Sequence, residues 1–71
     1  MGKKLYYTLC LRDDGDGRWR PEFGDYDYNV VRAEKQCYVG DYLMRNMAII
    51  KSGDSQAEID AAVAELNEKV A

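Results

Sequence analysis

Hydrophobic and polar side chains alternate from Leu5 to Leu11, with Leu5, Tyr7, Leu9 and Leu11 on one side and Tyr6, Thr8 and Cys10 on the other. A period of two in a segment rich in tyrosine is typical of a β-strand. Asp13–Gly17 contains two Asp-Gly pairs, which favour a tight hairpin turn because glycine accepts a positive φ. A returning strand is expected around Arg18–Phe23. Pro21 places that strand at a sheet edge, because proline donates no backbone hydrogen bond.

Farther along the chain the apolar period lengthens to that of an α-helix, with a stripe formed by Val30, Ala33 and Cys37. This helix is expected to begin near Tyr28 and to be capped by the carboxylate of Asp25 or Asp27. Gly40 is expected to end it, because glycine adopts the left-handed conformation at a helix terminus at little cost. The apolar segment Met44–Lys51 then predicts a third strand.

The last segment of the chain has the pattern of a capped amphipathic helix. Ser55 and Glu58 form a capping box, in which each side chain satisfies free groups at the start of the helix. One face then carries apolar residues and extends almost to Ala71: Ile59, Ala62, Val63, Leu66 and Val70. This face is expected to pack on the sheet.

The predicted order of elements is therefore β-β-α-β-α, within one small domain that covers residues 1–71. We expect an α+β fold, namely a two-layer sandwich with a three-stranded, mainly antiparallel sheet and two helices on one face. The first strand is expected at the centre of the sheet because it is the most apolar. No linker or internal repeat divides the chain.

The composition indicates a folded domain and also bears on the cellular compartment in which it is expected. Of 71 residues, 46% are hydrophobic and 32% are charged, which is a globular profile. No segment approaches the ~20 apolar residues of a membrane span, so no membrane association is expected. Cys10 and Cys37 do not form a disulfide framework, and both are expected to be free thiols in a cytoplasmic protein.

The net charge of −3 is unevenly distributed, because the acidic excess lies in residues 13–27 and 54–71. Binding to the phosphates of nucleic acid requires a basic surface, so nucleic acid is a poor fit as a partner. An acidic surface suits a basic protein partner instead.

The densest stretch of the chain, Arg12–Tyr28, resembles a calcium loop at first sight because it holds six carboxylates. An EF-hand loop needs oxygen ligands at positions 1, 3 and 5, Gly at 6 and Glu at 12. With Gly17 at position 6, position 1 is Arg12 and position 12 is Phe23. A hairpin turn explains the pattern better, and no metal or other cofactor is expected.

The sequence also offers few of the side-chain combinations that enzymes use for catalysis. The chain has no histidine, so neither a Ser-His nor a Cys-His pair can form. Cys10 lies within a strand and has no nearby cation in the sequence to activate it. The paired carboxylates are explained by turns and helix caps. We therefore expect no enzymatic activity.

Aromatic residues are abundant and leave three interpretations open. Tyr6 and Thr8 on an outer sheet face would allow stacking of single-stranded bases. Alternatively, tyrosines simply cover the second face of a thin domain. The third interpretation is a protein interface, for which Tyr, Trp and Arg are favoured. Its expected contact region comprises Trp19, Arg20, Phe23, Asp25, Tyr26 and Asp27, of which Trp19 and Phe23 would serve equally well in the core. The acidic residues of the last helix are an alternative contact region.

Three motifs are W-x-x-x-F-G-D-Y-D at residues 19–27, I-I-K-S-G-D at 49–54 and I-D-A-A-V-A-E-L-N at 59–67. With them the chain resembles a group of short bacteriophage and prophage proteins to which no activity has been assigned. The resemblance implies a phage accessory factor that modulates a host protein, as anti-CRISPR inhibitors do. The leading prediction is a non-catalytic protein-binding module, and the alternative is a single-stranded nucleic-acid-binding or regulatory module. A homodimer formed through an uncovered sheet face or through an edge strand is compatible with both.

Overall fold

A computed structural model of the protein describes residues 4–69. Its elements are β1 (Leu5–Arg12), β2 (Trp19–Asp25), α1 (Tyr28–Gln36), a 3-10 turn (Met44–Asn46), β3 (Met47–Gly53) and α2 (Gln56–Lys69). Both strand pairs are antiparallel, and the sheet order is β2-β1-β3. The α+β class, the order of elements and the central position of the first strand are confirmed.

The two helices cover opposite faces of the sheet, whereas the sequence pattern placed them on one face. On one face, α1 contributes Val31 to a buried cluster with Leu9, Leu11 and Met47. On the other face, α2 lies over Thr8, which is only 3% exposed. The sheet is therefore the middle of three layers.

A second apolar surface explains why the other face is also covered. Cys10 points to that face and is fully buried. Its cross-strand neighbour on β3 is Ala48, and Ile50 follows on the same side. Leaving these side chains in water would forfeit their hydrophobic stabilisation, so α2 packs there. The alternating pattern of β1 alone does not reveal this, because Tyr6 and Thr8 suggest a solvated face.

The hairpin between β1 and β2 forms as the Asp-Gly pairs indicate. Gly17 has a φ of +68°, and its N–H donates to the carbonyl of Asp13 at 2.7 Å. A bulge follows in β2, since Leu9 pairs with Phe23 and Cys10 with Pro21, which leaves Glu22 between them. Pro21 lies in an edge strand as expected, where its missing N–H costs no bond within the sheet.

The boundaries of α1 and β3 differ partly from expectation. Asp27 caps α1, because its carboxylate accepts from the N–H of Asn29 at 2.9 Å. The helix ends at Gln36 rather than Gly40, and Gly40 does not adopt a positive φ. β3 begins at Met47 because the preceding residues form the 3-10 turn, which the buried side chain of Asn46 ties to the hairpin.

Two local devices position α2. The Ser55 half of the predicted capping box is confirmed, since Ser55 Oγ accepts from the N–H of Glu58 at 3.1 Å. The Ser55 hydroxyl also donates to the Glu58 carboxylate at 2.9 Å. Near the other end, the Asn67 side chain forms two hydrogen bonds with the backbone of Trp19. Val70, which the sequence assigns to the apolar face of this helix, lies outside the described residues.

Within residues 4–69, no helix is both long enough and apolar enough to cross a membrane.

Candidate protein-binding surface

The residues predicted to form one contact region are divided between the core and the surface. Trp19 is 7% exposed and lies at the strand end that Asn67 of α2 holds. Phe23 packs against the buried cluster under α1. Trp19 is therefore buried, and Phe23 is partly buried against the core. Arg20 is exposed and forms an ion pair with Asp16 of the hairpin turn.

The two aspartates of the predicted region have local structural roles. Asp25 accepts a hydrogen bond from the N–H of Asp27 at 2.8 Å. Asp27 is the N-cap of α1. Both carboxylates thereby satisfy backbone donors at the start of a helix, which accounts for their presence without any partner. Their negative charge nevertheless stays beside Tyr26, which lies between them in the sequence.

Tyr26 is the aromatic residue of the predicted contact region that remains exposed, with 52% of its surface accessible to solvent. Its ring meets the ring of Tyr6 edge to face, with centroids 5.1 Å apart. The ammonium of Lys4 lies 5.6 Å from the same ring centroid. The Tyr26 hydroxyl donates to Asp54 at 3.1 Å, which raises the pKa of Tyr26 above its ordinary value. Residues from two distant parts of the chain, the start of β1 and the end of β3, thus hold one exposed ring.

A second tyrosine pair lies at the same end of the sheet. Tyr7 and Tyr28 also meet edge to face, with ring centroids 5.4 Å apart. Tyr6 and Tyr7 are consecutive in a strand, so the two pairs lie on opposite faces of the sheet. Leu5, at the start of the same strand, is 49% exposed. We call these five residues the tyrosine end: Leu5, Tyr6, Tyr7, Tyr26 and Tyr28.

A cleft adjoins the tyrosine end between the edge strand β2 and the start of α2. It holds about 210 Å³, and Tyr6, Pro21, Gln56 and Ile59 form part of its wall. Thr8 also lines it, and the Thr8 hydroxyl has no hydrogen-bond partner among residues 4–69. The Thr8 hydroxyl is itself buried, so the cleft does not expose it to a bound group.

Gly24 allows the Tyr6 ring to occupy its place beside this cleft. A Cβ atom at Gly24 would lie 2.5 Å from the Tyr6 hydroxyl oxygen, which is far closer than van der Waals contact. Any larger residue there would displace the Tyr6 ring and with it the contact to Tyr26. The absence of a side chain at Gly24 is therefore part of the site.

The outer sheet face proposed for base stacking is not open as a platform. Thr8 is buried, and the ring of Tyr6 is half-buried against Tyr26. The alternative contact region on the last helix is partly occupied by local bonds: Asp60 accepts from Gln56 at 2.9 Å. In the described part of the chain, the tyrosine end is the surface where large aromatic side chains are both exposed and held in place.

Candidate catalytic and metal-binding groups do not converge in the described structure. Residues 4–69 contain no group of three or more His, Cys, Asp or Glu side chains arranged to hold a metal ion. Burial raises the pKa of the Cys10 thiol to about 11, so it is protonated at neutral pH. A protonated, buried thiol is a poor nucleophile.

The two thiols should therefore differ sharply in reactivity. We expect a thiol reagent to modify the exposed Cys37 rapidly and Cys10 only after unfolding. Mass spectrometry of the native and denatured protein would show one and two adducts, respectively. Cys37→Ser should remove the native adduct and Cys10→Ser should not. Rapid double modification of the native protein would contradict the buried position of Cys10.

The sequence predicts roles for Tyr26 and Tyr6 separately, but not their contact. No local pattern indicates Asp54, Lys4 and Gly24, all of which support the exposed Tyr26 ring directly or through Tyr6. Strand register is the information that joins them, because Thr8 pairs with Gly24 and thereby sets Tyr6 beside the end of β2. A hairpin register inferred from the Asp-Gly turn could have suggested this pairing, but the bulge in β2 shifts it by one residue.

Together, the sheet and its two helices define a small α+β domain with an aromatic surface at one end. Comparison with protein-family models, with curated proteins and with solved structures found no match to the chain. The resemblance to bacteriophage proteins accordingly stays a prediction from the sequence motifs.

Proposed function

We propose that the protein is a non-catalytic protein-binding module that contacts its partner through the tyrosine end. The observation that carries the proposal is the pairing of exposed rings with supporting rings. Tyr26 and Tyr28 are 52% and 46% exposed, yet each meets a second tyrosine edge to face. Tyrosine is enriched at protein interfaces because it offers a large apolar ring together with a polar tip.

Restricted motion of these rings favours binding. An edge-to-face pair contributes about 0.5–1.5 kcal/mol beyond its buried area. Tyr26 is further restrained through its hydroxyl by Asp54. Side chains that already occupy their bound orientation lose little entropy on association, so more of the contact energy appears as affinity.

Charge around the tyrosine end indicates what kind of partner it suits. Asp25 and Asp27 flank Tyr26 in the sequence, and Asp54 binds its hydroxyl. Against these three carboxylates, Lys4 supplies one ammonium close to the ring. A partner surface with an apolar centre and a basic rim would be complementary, and such complementarity mainly accelerates association.

The other predictions about function rest on the sequence. A phage accessory factor that acts on a host protein in the cytoplasm is the context implied by the resemblance, and it is compatible with an interaction module. The nucleic-acid alternative has no comparable support, since Thr8 is buried and the tyrosine end is flanked by acids. Catalysis is disfavoured by the lack of histidine and the protonated state of Cys10.

Tyr26→Ala should abolish most partner binding, because it removes the exposed ring and leaves Tyr6 unsupported. Truncation of a central interface tyrosine typically costs about 2 kcal/mol or more, or roughly thirtyfold in affinity. The measurement is affinity capture from host lysate with the wild-type and variant proteins in parallel, followed by titration of the purified partner. Leu43→Ala is the matched control, since Leu43 is likewise 52% exposed but lies outside the tyrosine end.

The outcomes separate the proposal from a general loss of structure. Circular dichroism should show both variants folded, because neither residue is buried. A partner retained by Leu43→Ala and lost by Tyr26→Ala supports the tyrosine end. A partner retained equally by both variants would place the binding surface elsewhere.

A further inference from the structure

We propose that the free edge of β3 pairs with β3 of a second copy, which joins two three-stranded sheets into one antiparallel sheet of six strands. Within residues 4–69, β3 has β1 as its neighbour on one side and no strand on the other. The backbone N–H and C=O groups that point away from β1 therefore form a template for another strand.

The two edges of the sheet are protected very differently. The β2 edge carries Pro21 and the bulge at Glu22, and both features obstruct the pairing of a further strand. Its exposed positions also include Arg20. β3 has the sequence MAIIKSG, with neither proline nor a bulge in its pairing with β1. β3 therefore lacks the two backbone features that obstruct pairing at the β2 edge, and its edge is the one open to a further strand.

The sequence of β3 suits pairing with its own copy. A two-fold axis at Ile49 places the two Ile49 side chains opposite each other on the α1 face. On the α2 face it places Ala48 of one copy opposite Ile50 of the second copy. Cross-strand apolar pairs of this kind stabilise a sheet.

Charge disfavours a register with its axis at Lys51. Lys51 is the one charged residue of β3. With the axis at Ile49, the two Lys51 residues lie on opposite sides of it, about 14 Å apart along the strands at ~3.4 Å per residue. An axis at Lys51 would set two ammonium groups directly opposite each other, which is unfavourable. This self-complementarity favours a second copy over an unrelated strand.

The helices leave room for a strand at this edge. α1 lies mainly over β1 and β2, so Ile49 stays only partly buried. On the other face, a groove of about 200 Å³ runs between β3 and α2, and Ile50, Ala62 and Leu66 line it. Lys51, Glu65 and Lys69 also line this groove, so its wall is mixed. The second copy would bring Ala48, a small side chain, opposite Ile50 and cover the apolar part of the groove without crowding it.

Pairing of one strand buries less surface than the roughly 1,200–2,000 Å² of a stable interface, so the dimer should dissociate on dilution. We expect sedimentation equilibrium to show a mass that rises with concentration from 8.1 kDa towards twice that value. Ile49→Lys, which sets two lysines at the axis, should shift the protein to monomer. Glu22→Lys is the matched control on the protected β2 edge and should leave the dimer unchanged.

Hydrogen exchange provides a test that needs no substitution, in case Ile49→Lys fails to fold. Amides of β3 that point away from β1 should exchange more slowly at high than at low protein concentration, and β2 amides should not change. A protein that is monomeric at millimolar concentration would overturn the proposal. So would a dimer without concentration-dependent protection in β3, because its contact must then lie elsewhere. Neither result would affect binding at the tyrosine end, which other residues form.

Discussion

Leu9→Ala should destabilise the protein by about 2–5 kcal/mol, which is the usual cost of replacing a buried leucine by alanine. Leu9 is fully buried in the central strand and belongs to the cluster with Leu11, Val31 and Met47. The substitution removes three buried carbon atoms and leaves a cavity, because the strands on both sides of β1 restrict collapse around the site.

The small size of the domain makes this loss severe. A chain of 71 residues buries about 60% of the surface that its unfolded form exposes, and a core of this size rarely supplies more than about 3–5 kcal/mol of net stability. Leu9→Ala should therefore leave a large unfolded fraction at room temperature. Chemical denaturation followed by circular dichroism would measure the change in the free energy of unfolding.

Leu43→Ala is the control for Leu9→Ala because the chemical change is identical. Leu43 is 52% exposed and precedes the 3-10 turn, so its truncation should cost within about 0.5 kcal/mol. Equal losses of stability in the two variants would contradict the placement of Leu9 at the centre of the core.

Asn67→Ala should cause the second largest loss in the free energy of unfolding, because the Asn67 side chain bonds α2 to the edge strand β2. Its carboxamide oxygen accepts from the N–H of Trp19 at 2.7 Å, and its amide nitrogen donates to the carbonyl of the same residue at 3.2 Å. Removing the carboxamide leaves a backbone donor and a backbone acceptor without partners. A buried polar group that loses its partner costs about 1–3 kcal/mol, and these two groups are partly buried.

The consequence should be concentrated at the end of α2. In the variant we expect faster hydrogen exchange in the last turns of α2. We also expect a soluble quencher to reduce Trp19 fluorescence more than it does in the wild-type protein. Gln56→Ala is the control from the same helix, because it removes an exposed hydrogen bond to Asp60. If both variants unfold at the same denaturant concentration, the bonds between Asn67 and Trp19 do not hold the helix in place.

Much of the fold could be predicted because its signals are local. The Asp-Gly turn requires only that Gly17 take a positive φ, and the capping box requires only Ser55 and Glu58 three residues apart. Gly40, by contrast, is predicted from its local sequence to end α1, and this prediction is wrong. α1 stops earlier, and its last turns are closed by the backbone bonds of Cys37 and Tyr38 to helix carbonyls rather than by a left-handed glycine.

The candidate site was predicted only in part. Tyr26 was chosen from the local clustering of aromatic and acidic residues, and it is exposed. Trp19 and Phe23 belong to the same cluster in the sequence, but Trp19 is buried and Phe23 packs partly buried against the core. Trp19 and Phe23 are covered by other parts of the protein, whereas Tyr26 is not. This difference depends on where the helices pack and not on neighbouring residues in the chain.

The sequence alone predicts an acidic α+β domain with a central apolar strand, a hairpin turn and two capped helices. These features can be predicted because periodicity and capping act over a few residues. The tertiary structure assigns α1 and α2 to opposite faces and brings Tyr26 against Tyr6, Lys4 and Asp54. These outcomes depend on strand register and on which apolar surfaces must be covered. Both arise from contacts between residues distant in sequence, so no local pattern encodes them.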